Sequence, residues 1–105
     1  GMAVALVETA LAGGLGMDLD LTELLTHSGL RTDLCLFSES QSRFIITVSP
    51  EHQKDFEVLF EDQVYFYLGK VTDNSNFMIH ASNQKIIADS IHSFKMSWQT
   101  TLREI

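Results

Sequence analysis

Leu36-Phe37-Ser38-Glu39-Ser40-Gln41-Ser42-Arg43-Phe44-Ile45-Ile46-Thr47-Val48 sets a dense polar run directly before an apolar one. Residues 44–48 are aromatic or β-branched and predict a strand over 43–48. Ser49-Pro50 stops it. The polar half holds a carboxylate, three hydroxyls, a carboxamide and a guanidinium. Side chains alternate along a strand, which puts Glu39, Gln41 and Arg43 on one side and Ser38, Ser40 and Ser42 on the other. Two readings follow. The side with Glu39 and Arg43 presents a carboxylate and a cation to a polar ligand. Alternatively the run is a solvated strand end, with Glu39 paired to Arg43 and the serines satisfying backbone groups.

Ser49-Pro50-Glu51 is a strong helix start: a serine cap, a proline at the first position and an acid in the first turn. The helix is expected over 50–60, with Phe56, Leu59 and Phe60 towards the core and Glu51, Lys54, Asp55 and Glu57 in water. Residues 64–71, with Tyr65, Phe66 and Tyr67, predict a strand, and Gly69 is a candidate bulge. Residues 72–76 form a turn cluster. Residues 77–80 are expected to return as a hairpin with 64–71. After a turn at Asn83-Gln84, residues 85–88 are short and β-like. Ser90 caps a last amphipathic helix, whose stripe Ile91, Phe94, Trp98 and Leu102 is expected in the core.

On the other side of the opening stretch, residues 2–12 predict a helix. Its face is Leu6, Ala10 and Leu11 with Met2, Ala3 and Val7. Glu8 is expected in solvent, and Gly13-Gly14 ends the helix. Residues 17–21 alternate apolar and acidic side chains, as a half-buried strand does. Asp18 and Asp20 also admit a cation, but no further oxygen ligands follow at a loop-like spacing. Residues 22–25 read as helical turns capped by Thr22 or Asp20 and stopped at Gly29, and residues 30–34 lead into the opening stretch. The predicted class is α+β: a mixed or antiparallel sheet of about four strands with helices packed on one face. That class hosts many functions.

The chain has 105 residues, 45% of them hydrophobic, a formal charge of −7 and a pI near 4.8. One domain spanning 1–105 is expected. The acidity argues against nucleic acid, which needs a basic face, and against an anionic membrane surface. No apolar run approaches the roughly 20 residues of a membrane span. The single cysteine, Cys35, permits no internal disulfide, is compatible with the cytosol and reads as a small buried residue. His27, His52, His80 and His92 are scattered, without the spacing of a helical metal site. No phosphate-cradling G-x-x-x-x-G-K and no G-x-S-x-G elbow is present. A helix that begins at the second residue points to a piece excised from a longer protein. Gly1 is then either an expression scar or the last residue of a loop.

Residues 36–44 resemble the F-x-E-S-x-S-R segment of the synthetase subunit of the phosphoribosylformylglycinamidine synthase family. Gly1-Met2-Ala3-Val4-Ala5-Leu6-Val7-Glu8 resembles the helix after that family's D-x-S-D-G-G loop. Ala12-Gly13-Gly14-Leu15-Gly16 is similar to the turn ending the same helix. The two blocks occur in the right order and spacing. The resemblance implies a C-terminal domain of a synthetase in the superfamily of aminoimidazole ribonucleotide synthetase. Its parent would convert formylglycinamide ribonucleotide, ATP and glutamine-derived ammonia to the formylglycinamidine, ADP and phosphate in de novo purine synthesis. ATP and magnesium would serve the parent, with none held by this piece alone, and the piece would be inactive by itself.

The first half of such a subunit tends to carry E-S-Q-E-R-M. Here Glu39-Ser40-Gln41 continues as Ser42-Arg43-Phe44, which looks like the second half, as does the W-x-x-x-L ending at Trp98 and Leu102. Glu39, Ser40, Gln41 and Arg43 are therefore candidates for a substrate or auxiliary nucleotide site, active or vestigial. The implied partners are the N-terminal domains of the same synthetase, a glutaminase subunit and a small bridging subunit, in the cytoplasm. The alternatives are a stand-alone small-molecule-binding module and a dimerisation module. A helix 2–12 stripped of its neighbours would favour a homodimer.

Overall fold

The computed structural model describes residues 1–39 and 43–103, with side chains beyond Thr100 outside the description. Helix α1 spans Met2–Gly13, strand β1 Gly16–Asp20, helix α2 Thr22–Ser28 and helix α3 Thr32–Phe37. A 3-10 turn, Pro50–His52, opens helix α4, Gln53–Leu59. Strands β2 (Gly69–Thr72), β3 (Asn76–Ala81) and β4 (Gln84–Ser90) follow, then helix α5, Ile91–Arg103.

The four strands form one mixed sheet in the order β2-β1-β3-β4. β1 is antiparallel to β2 and parallel to β3, and β3 is antiparallel to β4. The acidic alternation in β1 sorts by face as expected: Met17 and Leu19 are buried while Asp18 and Asp20 are exposed. β3 repeats the pattern with Phe77, Ile79 and Ala81 inside. These residues meet Ala3, Leu6 and Ala10 of α1, Leu36 of α3 and Ile91 of α5 in one core. Phe94 of α5 packs edge-on against Phe77, with ring centroids 5.4 Å apart. The helices of the core thus cover one face of the sheet, and the class read from the sequence holds.

The expected hairpin between 64–71 and 77–80 does not form, because β1 lies between those two strands. Residues 73–75 therefore cross the end of β1. Asn74 organises the crossing. Its carbonyl accepts the Gly16 N–H at 2.8 Å, and its side-chain oxygen accepts the Thr72 hydroxyl at 3.0 Å and the Asn76 N–H at 2.9 Å. A Cβ on Gly16 would collide with the carbonyl oxygen of Asn76, so glycine is what lets the chain pass so close. Gly69 plays the same part at the other end of the β1–β2 ladder. It has φ 150° and lies against the Asp18 carbonyl. The strand begins at Gly69, without the bulge anticipated there, and 64–68 lie outside the sheet.

Other expectations change for identifiable reasons. Residues 43–48, expected as a strand, have no assigned helix or strand and join no ladder of the sheet. Residues 30–34, read as a lead-in, and the first residues of the opening stretch instead contribute to α3, Thr32–Phe37. Its first turn is fixed by Asp33, which accepts the Leu34 N–H at 2.9 Å and takes Arg31 as a bidentate partner at 2.8 and 3.1 Å. In α4, Phe56 stacks on Phe60 at 4.6 Å and meets Tyr65 at 5.6 Å, so its apolar face serves a local aromatic cluster. Leu59, expected in the core, is 78% exposed. Along α5 the core ends with Phe94. Trp98, also expected inside, is 62% exposed, and the Leu102 side chain lies outside the described residues. Ser90 does cap α5, accepting the Ser93 N–H at 3.1 Å.

Three substitutions test this packing by urea unfolding. Phe77→Ala is expected to cost about 3–5 kcal/mol, through a cavity at the centre of the core. Gly16→Ala should cost roughly 2 kcal/mol or more, because the clash is with backbone. Gly13→Ala meets nothing within 4 Å at the helical end of α1 and should gain a few tenths to about 1 kcal/mol.

Candidate functional site

The C-terminal end of α3 delivers the polar stretch. Cys35 and Leu36 are buried and fix the helix, so the chain emerges at Ser38 close to the start of α1. A Cβ on Gly1 would strike the Leu36 carbonyl and the Phe37 backbone, which measures how closely the two helix ends approach. Glu39 closes that junction: its Oε1 accepts from the Gly1 amino group at 2.7 Å. A carboxylate there also faces the positive end of the α1 dipole.

Arg43 turns back to the same helix end. Its Nη1 donates to the Cys35 carbonyl at 2.8 Å, satisfying one of the carbonyls that α3 leaves open. Glu39 and Arg43 are thus both held at the α1–α3 junction, each by a separate partner. The ion pair anticipated between them does not form. Ser40 and Gln41 lie outside the described residues, as does Ser42. The sequence pattern found the charged members of this site but not α3, the element that positions them.

A second polar cluster lies on the open side of β1. The Thr22 N–H and hydroxyl donate to Asp20 Oδ1 at 2.8 and 2.6 Å, and the Thr22 hydroxyl accepts the Ser82 N–H at 2.8 Å. The cap position of α2 is Leu21, which makes no side-chain cap bond, so neither anticipated residue is the cap. Asp20, one position earlier, holds the first residue of α2, and Thr22 ties that turn to the β3–β4 turn. Both bonds from Thr22 lower the Asp20 pKa. Asp18 lies 3.4 Å from His80 Nε2 across the β1–β3 ladder. Among the described residues, no three His, Cys, Asp or Glu side chains converge as metal ligands. A shallow cleft beside this cluster is lined by Asp20, Thr22, Glu23 and Tyr67, away from Glu39 and Arg43.

The comparisons with known proteins match this α+β domain to one family. The chain belongs to the family described as AIR synthase related protein, C-terminal domain, which matches residues 1–81. A phosphoribosylformylglycinamidine synthase subunit PurL of Caldanaerobacter subterraneus subsp. tengcongensis is 36% identical over 104 residues, covering 98% of this chain and 14% of that protein. The PurL subunit of Synechococcus elongatus is 33% identical over 102 residues, covering 93% of this chain and 13% of that protein. That of Moorella thermoacetica reaches 57% identity over 51 residues, 49% of this chain. The chain spans about one-seventh of the length of the first of these relatives. The family resemblance drawn from the sequence is borne out.

Two outcomes test the roles of these side chains. Arg43→Met should lower stability by about 1–2 kcal/mol in urea unfolding, since it leaves the Cys35 carbonyl without its charged donor. The folded pKa of Asp20 is depressed, so its contribution is complete above the ordinary value of 3.8 and disappears as the pH falls through the lower folded value. Asp20→Asn should therefore flatten the loss of thermal midpoint between about pH 4 and pH 2.

Proposed function

We propose that this chain is a domain of a phosphoribosylformylglycinamidine synthase synthetase subunit. The observation that carries the proposal is the match to PurL subunits over almost the whole chain, within proteins about seven times as long. The exposed apolar side chains Val58, Leu59, Val64 and Tyr67 support it, because they suit a domain packed against others. In this reading the parent is an ATP-dependent C–N ligase of the cytoplasm. It activates the amide oxygen of formylglycinamide ribonucleotide by phosphorylation, and ammonia then displaces that oxygen. ATP and magnesium belong to the longer synthetase, and the N-terminal domains, the glutaminase subunit and the bridging subunit are its partners.

Within that parent, Glu39, Ser40, Gln41 and Arg43 form the contact with substrate or with an auxiliary nucleotide. Glu39 and Gln41 suit hydroxyl and amide groups, and Arg43 suits an anion. The support is the motif together with the bond from Arg43 to the Cys35 carbonyl at the end of α3.

The gene on either side of this chain tests the larger claim. A D-x-S-D-G-G loop directly upstream and a paired half further away are expected; a gene encoding these 105 residues alone would overturn it. For the site, calorimetry on the full synthetase should show that Glu39→Gln or Gln41→Ala weakens substrate or ADP binding by about tenfold, or about 1.4 kcal/mol. Unchanged affinity for both ligands would remove these residues from binding. The isolated chain, given formylglycinamide ribonucleotide, ATP and ammonium, should release no ADP above the blank.

A further inference from the structure

Arg43 is placed differently from a simple surface cation. Its Nη1 donates to the Cys35 carbonyl at 2.8 Å, a half-buried bond between residues eight positions apart. The acceptor sits on a fixed element. Cys35 is 0% and Leu36 2% exposed, and the Ser38 N–H closes the last turn of α3 on the Leu34 carbonyl at 3.0 Å. A helix end carries partial negative charge, so a guanidinium suits it.

The polar stretch leaves α3 at Ser38, where the backbone turns extended. Arg43, at its far end, reaches back to the same helix end. Ile45, two residues further on, packs against the core. Both ends of the stretch are therefore anchored, by a main-chain carbonyl and by apolar contacts. A segment tied in this way has less freedom to lose when a ligand binds, so the tie raises affinity without touching the ligand.

We infer that Arg43 is a positioning residue for the ligand of this stretch. It holds the chain from which Glu39 is presented, and it acts through Glu39 rather than by meeting the ligand itself. The inference rests on the reading of the stretch as a ligand site and refines the part of Arg43 in it. The competing role for the guanidinium is a direct pair with a phosphate. The two roles separate by chemistry: a tie serves charged and uncharged ligands alike, whereas an anion contact serves only the phosphorylated one.

Calorimetry on the full synthetase tests it with two ligand pairs: ADP with adenosine, and formylglycinamide ribonucleotide with its unphosphorylated nucleoside. In the pair that binds, Arg43→Met should weaken both members equally, by about tenfold. Arg43→Lys, whose ammonium still donates to a carbonyl, should stay within about threefold of the natural protein. Loss confined to the phosphorylated member overturns the inference, and so does a lysine variant as weak as the methionine one. Amide exchange on this chain without ligand reads the tie alone. Arg43→Met should speed exchange at Ser38 about tenfold or more while β1 and β3 stay protected. Unchanged exchange overturns the inference, as does faster exchange with unaltered affinity, which leaves a structural tie only. If instead Glu39→Gln alters neither affinity, the reading of the site itself fails, and the inference with it.

Discussion

The sheet depends on one close approach, the passage of residues 73–75 across the start of β1. β2 and β3 flank β1 on opposite sides, about 9–10 Å apart at ordinary strand spacing, and only three residues separate them. So short a connection must hug the end of the strand it crosses. Gly16 permits this by having no side chain, and Asn74 fixes it with its carbonyl and its side chain. The same crossing starts α5, because the Ile91 N–H donates to the Ser75 carbonyl at 2.9 Å. A single turn therefore sets the strand order, the entry to β1 and the seat of the last helix.

From that frame the candidate site follows by packing. β1 and β3 present Met17, Leu19, Phe77 and Ile79 to α1, which is laid down by Ala3, Leu6 and Ala10. Small residues on that face let the helix sit close. α3 then packs on α1 through Leu36, and its end meets the beginning of α1. Glu39 and Arg43 are tied to this meeting point by bonds to main-chain groups. The Arg43 guanidinium serves the end of α3.

The candidate site was partly legible because its chemistry lies in one continuous stretch, in which Glu39, Ser40, Gln41 and Arg43 stand within five residues. What could not be read was the support. Thr32-Asp33-Leu34-Cys35-Leu36-Phe37 is too short to show helical periodicity, and its helix is secured by Asp33 and by burial of two residues. The partners of Glu39 and Arg43 are main-chain groups, which no side-chain pattern announces. Trp98 and Leu59 show the reverse error. Helical spacing marks a stripe as apolar, but how far the stripe is covered depends on what lies opposite.

By itself the sequence determined the local elements with strong signals. These are α1 with its glycine stop, the alternating β1, the proline-led start of α4, and α5 with its serine cap. Each rests on contacts within a few residues, where backbone preference and periodicity are sufficient causes. It also carried the family resemblance, which lives in motif order. Only the tertiary structure decided the strand order, the crossing at Gly16, the existence of α3 and the absence of 43–48 from the ladder. These depend on which segments, far apart along the chain, come together in the fold. That meeting is settled by packing and by loop reach, neither of which any short stretch encodes.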